Sequence, residues 1–98
     1  MNPRFLPLST IARYEPLARK KNVSEVARSP GGFLPAYKRA GSAEKLPDAW
    51  KRKRGAFIAR HMAQVEKRNE ILWDPDGHPS RRHLALIMWA YSPVARKL

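Results

Sequence analysis

The clearest periodic segment of the chain lies between Pro47 and Asn69. There Trp50, Phe57, Ile58, His61, Met62 and Val65 recur at intervals of three, four and seven, which draws one apolar stripe on a helix of 3.6 residues per turn. Leu46-Pro47-Asp48 supplies the start, with proline at the opening and an acid in the first turn, where the helix macrodipole favours negative charge. No proline and a single glycine, Gly55, interrupt the segment before Asn69, so one long helix is predicted. Its opposite face carries Lys51, Arg52, Arg60, Lys67 and Arg68.

A second strong pattern begins at Pro79-Ser80. Leu84, Ile87, Met88 and Tyr91 fall on one helical face, and Leu86 and Trp89 fill much of the rest. A helix apolar nearly all round belongs in a core. It is predicted to run to Tyr91 or Ser92 and to stop at Pro93. Between the two helices, Ile71-Leu72-Trp73 leads into Asp74-Pro75-Asp76-Gly77, a strong turn signal that allows at most a tiny hairpin over 72–79.

The upstream half is more broken. Prolines 3 and 7 make residues 1–8 an extended arm. Ser9 and Thr10 are candidate caps for a short amphipathic helix through Ile11, Tyr14, Leu17 and Ala18, which Pro16 should split or kink. Asn22 then Ser24 suggests a stop and a new start, with a turn of helix over Glu25 to Arg28. A helix from about Leu34 to Ala40, ended by Gly41, would bury Phe33, Leu34 and Tyr37. No segment alternates with a period of two. The predicted fold is therefore all-α, a small irregular helical domain with one long basic amphipathic helix and an extended N-terminal arm. Residues 1–28 are assigned to the arm and its short helices, either folded in their own right or ordered by a partner, and residues 29–98 to the basic helical domain.

Composition adjusts this picture in two ways. Nine prolines and five glycines in 98 residues explain why the elements are short, while 43% hydrophobic residues are enough for one modest core. The charge is the outlier: 20 Lys and Arg against 8 Asp and Glu, a net of +12. Such a balance speaks of partners more than of fold, and it points to a polyanion. Cysteine is absent, which removes disulfides and thiolate metal sites. The N-terminal segment is too proline-broken for a signal sequence, and the longest apolar run, Leu84 to Tyr91, is far short of a membrane span. No membrane partner is expected, and the protein is placed in a host cytoplasm or a virion.

The basic residues fall into two clusters. Lys51-Arg52-Lys53-Arg54 spreads charge over every face of the long helix, with Arg60, Lys67 and Arg68 extending it. Side chains of this kind contact phosphates and position a protein without reading sequence. Arg81 and Arg82 sit in the first turn of the last helix, where cations are unfavourable unless an anion is near. Either a bound phosphate or the neighbouring Asp74 and Asp76 would answer them. The predicted polyanion-binding set is thus Lys51, Arg52, Lys53, Arg54, Arg60, Lys67, Arg68, Arg81 and Arg82. Asp74, Asp76, His78, His83 and His61 are placed as a metal site by no recognised spacing: Gly77 is fourth in the turn where a calcium loop needs its glycine sixth, Ala85 stands at the twelfth position in place of glutamate, and the histidines lack further ligands. No nucleophile, base and orienting group form a motif, so no catalytic residue and no cofactor are assigned. The aromatic residues Trp50, Trp73, Trp89, Tyr14, Tyr37 and Tyr91 are read as core.

The run Lys51-Arg-Lys-Arg-Gly-Ala-Phe57-Ile-Ala-Arg60-His61, then Asp76-Gly-His-Pro-Ser-Arg81-Arg82-His83-Leu-Ala-Leu, then Trp89-Ala-Tyr-Ser-Pro93, resembles small basic domains of tailed phages and large DNA viruses. Gly31-Gly32-Phe33-Leu34-x-Ala36-Tyr37-Lys38 is similar to the helix that precedes these motifs in that family. The resemblance covers about residues 29–93 and implies a viral setting, with Phe57 and Trp89 at core positions and Arg60, His61 and Arg81 at recurrent polar ones. The combined expectation is a non-enzymatic bacteriophage protein that binds nucleic acid with little sequence preference, DNA ahead of RNA. Alternatives within the same setting are a structural component of the virion and a host-takeover protein that binds an acidic host surface.

Overall fold

Among the described residues, four helices are closed at their C-terminal ends by residues in the left-handed region, and these stops determine how the short elements turn. The computed structural model describes residues 3–98; Met1 and Asn2, the beginning of the expected arm, lie outside the described residues. The helices are α1 (Leu8–Lys20), α2 (Glu25–Arg28), α3 (Phe33–Ala40), α4 (Asp48–Arg68) and α5 (Arg81–Met88), followed by a 3₁₀ turn at Ala95–Lys97. The fold is all-α. Trp73 and Pro79 make one isolated bridge across the 74–77 turn, in which the Gly77 amide reaches the Asp74 carbonyl at 2.9 Å.

At the end of α1, Asn22 has φ 55°, the Val23 amide returns to the Ala18 carbonyl, and the Asn22 amide returns to that of Arg19. This pair of bonds is a Schellman close, with asparagine taking the place glycine usually holds. The same 6→1 bond ends α4, where Asn69 has φ 51° and the Glu70 amide bonds to the Val65 carbonyl. Gly41, at φ 79°, ends α3. The fourth such stop is Ala90, at φ 60°, an unfavourable conformation for a residue with a Cβ.

That stop shortens α5 relative to the sequence expectation. The helix ends at Met88 and not at Tyr91 or Ser92, because the chain reverses at Ala90 before Pro93 is reached. The Ala90 amide bonds to the Ile87 carbonyl and the Tyr91 amide to that of Leu86, while the Ala90 carbonyl accepts from the Leu6 amide at 2.7 Å. Contacts on both sides hold Ala90 in place, which is how such local strain persists. Pro16 is likewise less disruptive than predicted: α1 runs unbroken from Leu8 to Lys20, with Pro16 on its exposed side and Ile11 and Ala18 buried on the other.

One core unites all of this. Leu6, Ile11 and Ala18 from the N-terminal segment are buried in the same cluster as Phe33, Leu34 and Tyr37 of α3 and Leu84, Ile87 and Met88 of α5. The expected boundary at residue 28 therefore does not separate two packing units, since α1 lies directly on α5. The Cα radius of gyration, 12.7 Å, leaves no room for a projecting arm among the described residues.

Candidate nucleic-acid interface

The long helix α4 buries little of itself: only Arg54 and Ile58 are fully enclosed, and Trp50, Phe57, His61, Met62 and Val65 are half-buried beside them. The apolar stripe is where the sequence places it, but its centre is a cation. Arg54 stands one turn after Trp50 and one turn before Ile58 and is completely buried. Its Nε donates to the Trp89 carbonyl (2.7 Å), Nη1 to Pro3 (2.7 Å), and Nη2 to both Arg4 (3.0 Å) and Ala90 (2.8 Å). The guanidinium carbon also lies 3.7 Å from the centre of the Phe5 ring. Burial pushes its pKa down to about 10, which leaves it charged at neutral pH. Arg54 was expected to contact phosphate. It is instead the pin that joins α4, the carbonyls at the end of α5 and the N-terminal segment, and it is inaccessible to any polyanion.

The other eight predicted residues separate into three places. Arg52, Lys53, Arg60, Lys67 and Arg68 are exposed on α4. Lys53, Arg60 and Lys67 are seven residues apart, so they form a nearly straight seam with steps of about 10.5 Å, flanked by Arg52 and Arg68. Among the described residues none of these five has a carboxylate within ion-pair distance. Lys53 Nζ lies over the Trp50 ring at 4.9 Å, its stem covering the half-buried indole. Lys51 is set apart from the seam, turned back to the Glu44 carbonyl and the Asp48 carboxylate at 3.4 and 3.9 Å.

Arg81 and Arg82 meet at a cavity of about 380 Å³ whose wall also includes Phe57, His61, Glu70 and Ser24. Ser80 caps α5 there, its hydroxyl accepting from the His83 amide at 3.2 Å. The cations of this first turn are answered by neither Asp74 nor Asp76. Asp74 pairs with Lys21 at 3.3 Å, and Asp76 accepts from the His78 amide. The acid is Glu70, placed by the left-handed stop at Asn69. Arg82 grips it bidentately, Nε to Oε1 at 3.1 Å and Nη2 to Oε2 at 2.9 Å, and these bonds hold the Glu70 carboxyl below the usual carboxylate range. Arg81 donates one Nη to the Lys21 carbonyl and is otherwise exposed.

Arg82 Nη1 also bonds His61 Nδ1 at 2.8 Å. A guanidinium can only donate, so Nδ1 accepts and the proton of the neutral ring sits on Nε2. Burial, then Arg82 and Arg60, push the His61 pKa down. The ring stacks on Phe57 (centroids 3.9 Å apart), Phe57 on Trp89 (4.6 Å) and Trp89 on Phe33 (4.9 Å), with planes 20 to 25° apart. A row of four flat rings thus runs from the core to the cavity and ends at His61. His83, by contrast, is wholly internal: Nδ1–H donates to the Leu72 carbonyl (2.9 Å), and Nε2 accepts from the Ser92 hydroxyl (2.7 Å). Glu70 and the orientation of His61 have no local signal in the sequence, because Glu70 and Arg82 are brought together only by the turn between α4 and α5.

Comparison with protein-family models, curated proteins and solved structures returns no match.

Proposed function

We propose that the protein binds nucleic acid through the basic seam of α4, with little sequence preference and DNA ahead of RNA, in the viral setting that its motifs resemble. The observation that carries this reading is the seam itself: five exposed cations on one helix, free of ion-pair partners among the described residues, in a chain of net charge +12. Ion pairs answer Arg82, Lys21, Lys38 and Arg19, while other cations, Arg13 and Lys45 among them, also lack a carboxylate partner among the described residues; what distinguishes the seam is five such cations on a single helix. Phosphate contacts along such a seam release counterions, which stabilises the complex in low salt and says nothing about base identity.

The test is the salt dependence of duplex DNA binding by fluorescence anisotropy. Five phosphate contacts give a log–log slope of about −4.5, and a Lys53→Gln/Arg60→Gln/Lys67→Gln variant reduces it to about −1.8. Absence of binding at about 50 mM salt, or a slope that does not respond to the three substitutions, sinks the proposal. A pull-down after nuclease treatment supplies the second arm. Recovery of a single acidic coat or host protein by a seam-dependent contact would reassign the same face to that partner.

A further inference from the structure

The cavity between α4 and α5 is joined to the seam by sequence position: Arg60 belongs to the seam and His61, its neighbour, to the cavity wall. We infer that the cavity holds one unstacked base of a single strand that follows the seam, the base extending the aromatic row at His61 and its phosphate meeting Arg81. The inference rests on the reading of the seam as a nucleic-acid contact.

Three features support a base as the occupant. The volume, about 380 Å³, falls within the range of small-molecule sites and suits a single base. The row Phe33–Trp89–Phe57–His61 is stacked at near-parallel angles, and His61 ends it on the cavity wall, where a base can add to it. Stacking of this kind tolerates any base, in keeping with low sequence preference. The free donors also suit a nucleotide. Arg82 fixes His61 with Nδ1 accepting, so Nε2–H is left as a donor, and Arg81 has placed a single bond, on the Lys21 carbonyl. Arg82 itself is occupied by Glu70 and His61 and acts as the positioning residue.

Electrostatics alone does not produce a single-strand preference, because a single strand has the lower charge density and the shallower salt slope. The experiment therefore compares a labelled 20-nucleotide single strand with its own duplex, by anisotropy at fixed salt. The wild-type protein is expected to bind the single strand about tenfold more tightly, the scale of one stacked base. His61→Ala should weaken single-strand binding by about that factor and leave duplex binding unchanged. His61→Phe, which keeps a flat ring, should retain the preference, and Arg81→Ala should weaken the single strand more than the duplex. Should His61→Ala fail to fold, the last two variants still decide. Equal or tighter duplex binding by the wild type, or variants that move both forms equally, overturns the inference while the seam reading stands. If neither form binds, both fall together.

Discussion

Arg54 is the residue on which most of the fold depends, and its surroundings say what replacing it does. A guanidinium taken out of water needs compensation, and here the compensation is four carbonyl oxygens and the Phe5 ring in place of a carboxylate. Arg54→Ala removes the cation and strands the Trp89, Pro3 and Arg4 carbonyls. The expected loss is about 3–5 kcal/mol, a large share of the stability of a domain this size. Arg54→Lys keeps the charge, but a single ammonium cannot span carbonyls from two segments, and about 2 kcal/mol should be lost in chemical denaturation. Because Arg54 is buried, the lysine variant should keep the wild-type salt slope for DNA. A lowered slope would return Arg54 to the interface. The residue was legible in part: it falls on the apolar stripe between Trp50 and Ile58, but within Lys51-Arg52-Lys53-Arg54 nothing local says which cation turns inward. The carbonyls that select it come from segments about 35 and 50 residues away. His83 gives a second prediction at this scale. Burial pushes its pKa below the ordinary value near 6.5, and the same holds for His61. The unfolded chain therefore binds protons first as pH falls, so the stabilisation is complete above about pH 6.5 and is lost below it, down to each folded-state value. The melting temperature should drop between pH 7.5 and 5, and His83→Gln should flatten the drop while lowering stability at pH 7.5. A melting temperature indifferent to pH over that interval contradicts the assignment.

Among the elements, the junction between α2 and α3 is decided by a glycine. Gly32 sits in extended backbone at φ −90°, so its conformation does not call for glycine; the close approach of α2 does. A Cβ at position 32 would collide with the Val26 and Ala27 carbonyls, which are backbone atoms at the end of a packed helix. Gly32→Ala should therefore cost about 2–3 kcal/mol in thermal or chemical unfolding. Gly31→Ala, where nothing lies within 4 Å, should be neutral or gain up to about 1 kcal/mol. Equal effects at the two positions would show that α2 does not pack on α3 as described. The pair Gly31-Gly32 is visible in the sequence only as a poor helix start, since composition cannot tell a close approach from a flexible link. Where local chemistry decides, the elements were legible: α4 from its stripe and its Pro47-Asp48 opening, α3 from Phe33, Leu34, Tyr37 and Gly41, α2 from Asn22 and Ser24. The end of α5 was not. Its stop depends on Arg54 and the Leu6 amide gripping the Ala90 carbonyl, and periodicity carries no trace of such contacts. The candidate site divides along the same line. The seam follows from spacing on one helix, whereas the cavity requires Glu70 to meet Arg82 across a turn.

For the molecule as a whole, the question is whether its charge helps or opposes folding, and length scales decide it. The principal extents are 36 × 27 × 24 Å. At about 0.01 M salt the Debye length is roughly 30 Å, so most cations sense one another; at 0.1 M it is roughly 10 Å, and only near neighbours interact. The ion pairs pull the other way, and salt weakens them too. Among the described residues they are five, at Arg19, Lys21, Lys38, Lys51 and Arg82, each at least partly exposed. Pairs of that kind contribute about 0–1 kcal/mol apiece. Against them stands a net +12 within a body about the size of the low-salt screening length, with five of the cations on α4, so repulsion should win. The melting temperature of the free protein is expected to rise as NaCl goes from about 10 to 150 mM. The Lys53→Gln/Arg60→Gln/Lys67→Gln variant should melt higher than wild type at the low end, because it removes repulsion without breaking an ion pair. Its rise with salt should be correspondingly shallower. A short DNA oligonucleotide added at low salt should raise the wild-type melting temperature beyond what salt alone achieves, through binding to the folded state, and should do so less for the variant. Differential scanning fluorimetry reads all three. If salt lowers the wild-type melting temperature, the ion pairs dominate and the seam is not held under the repulsion that makes it a ready phosphate contact.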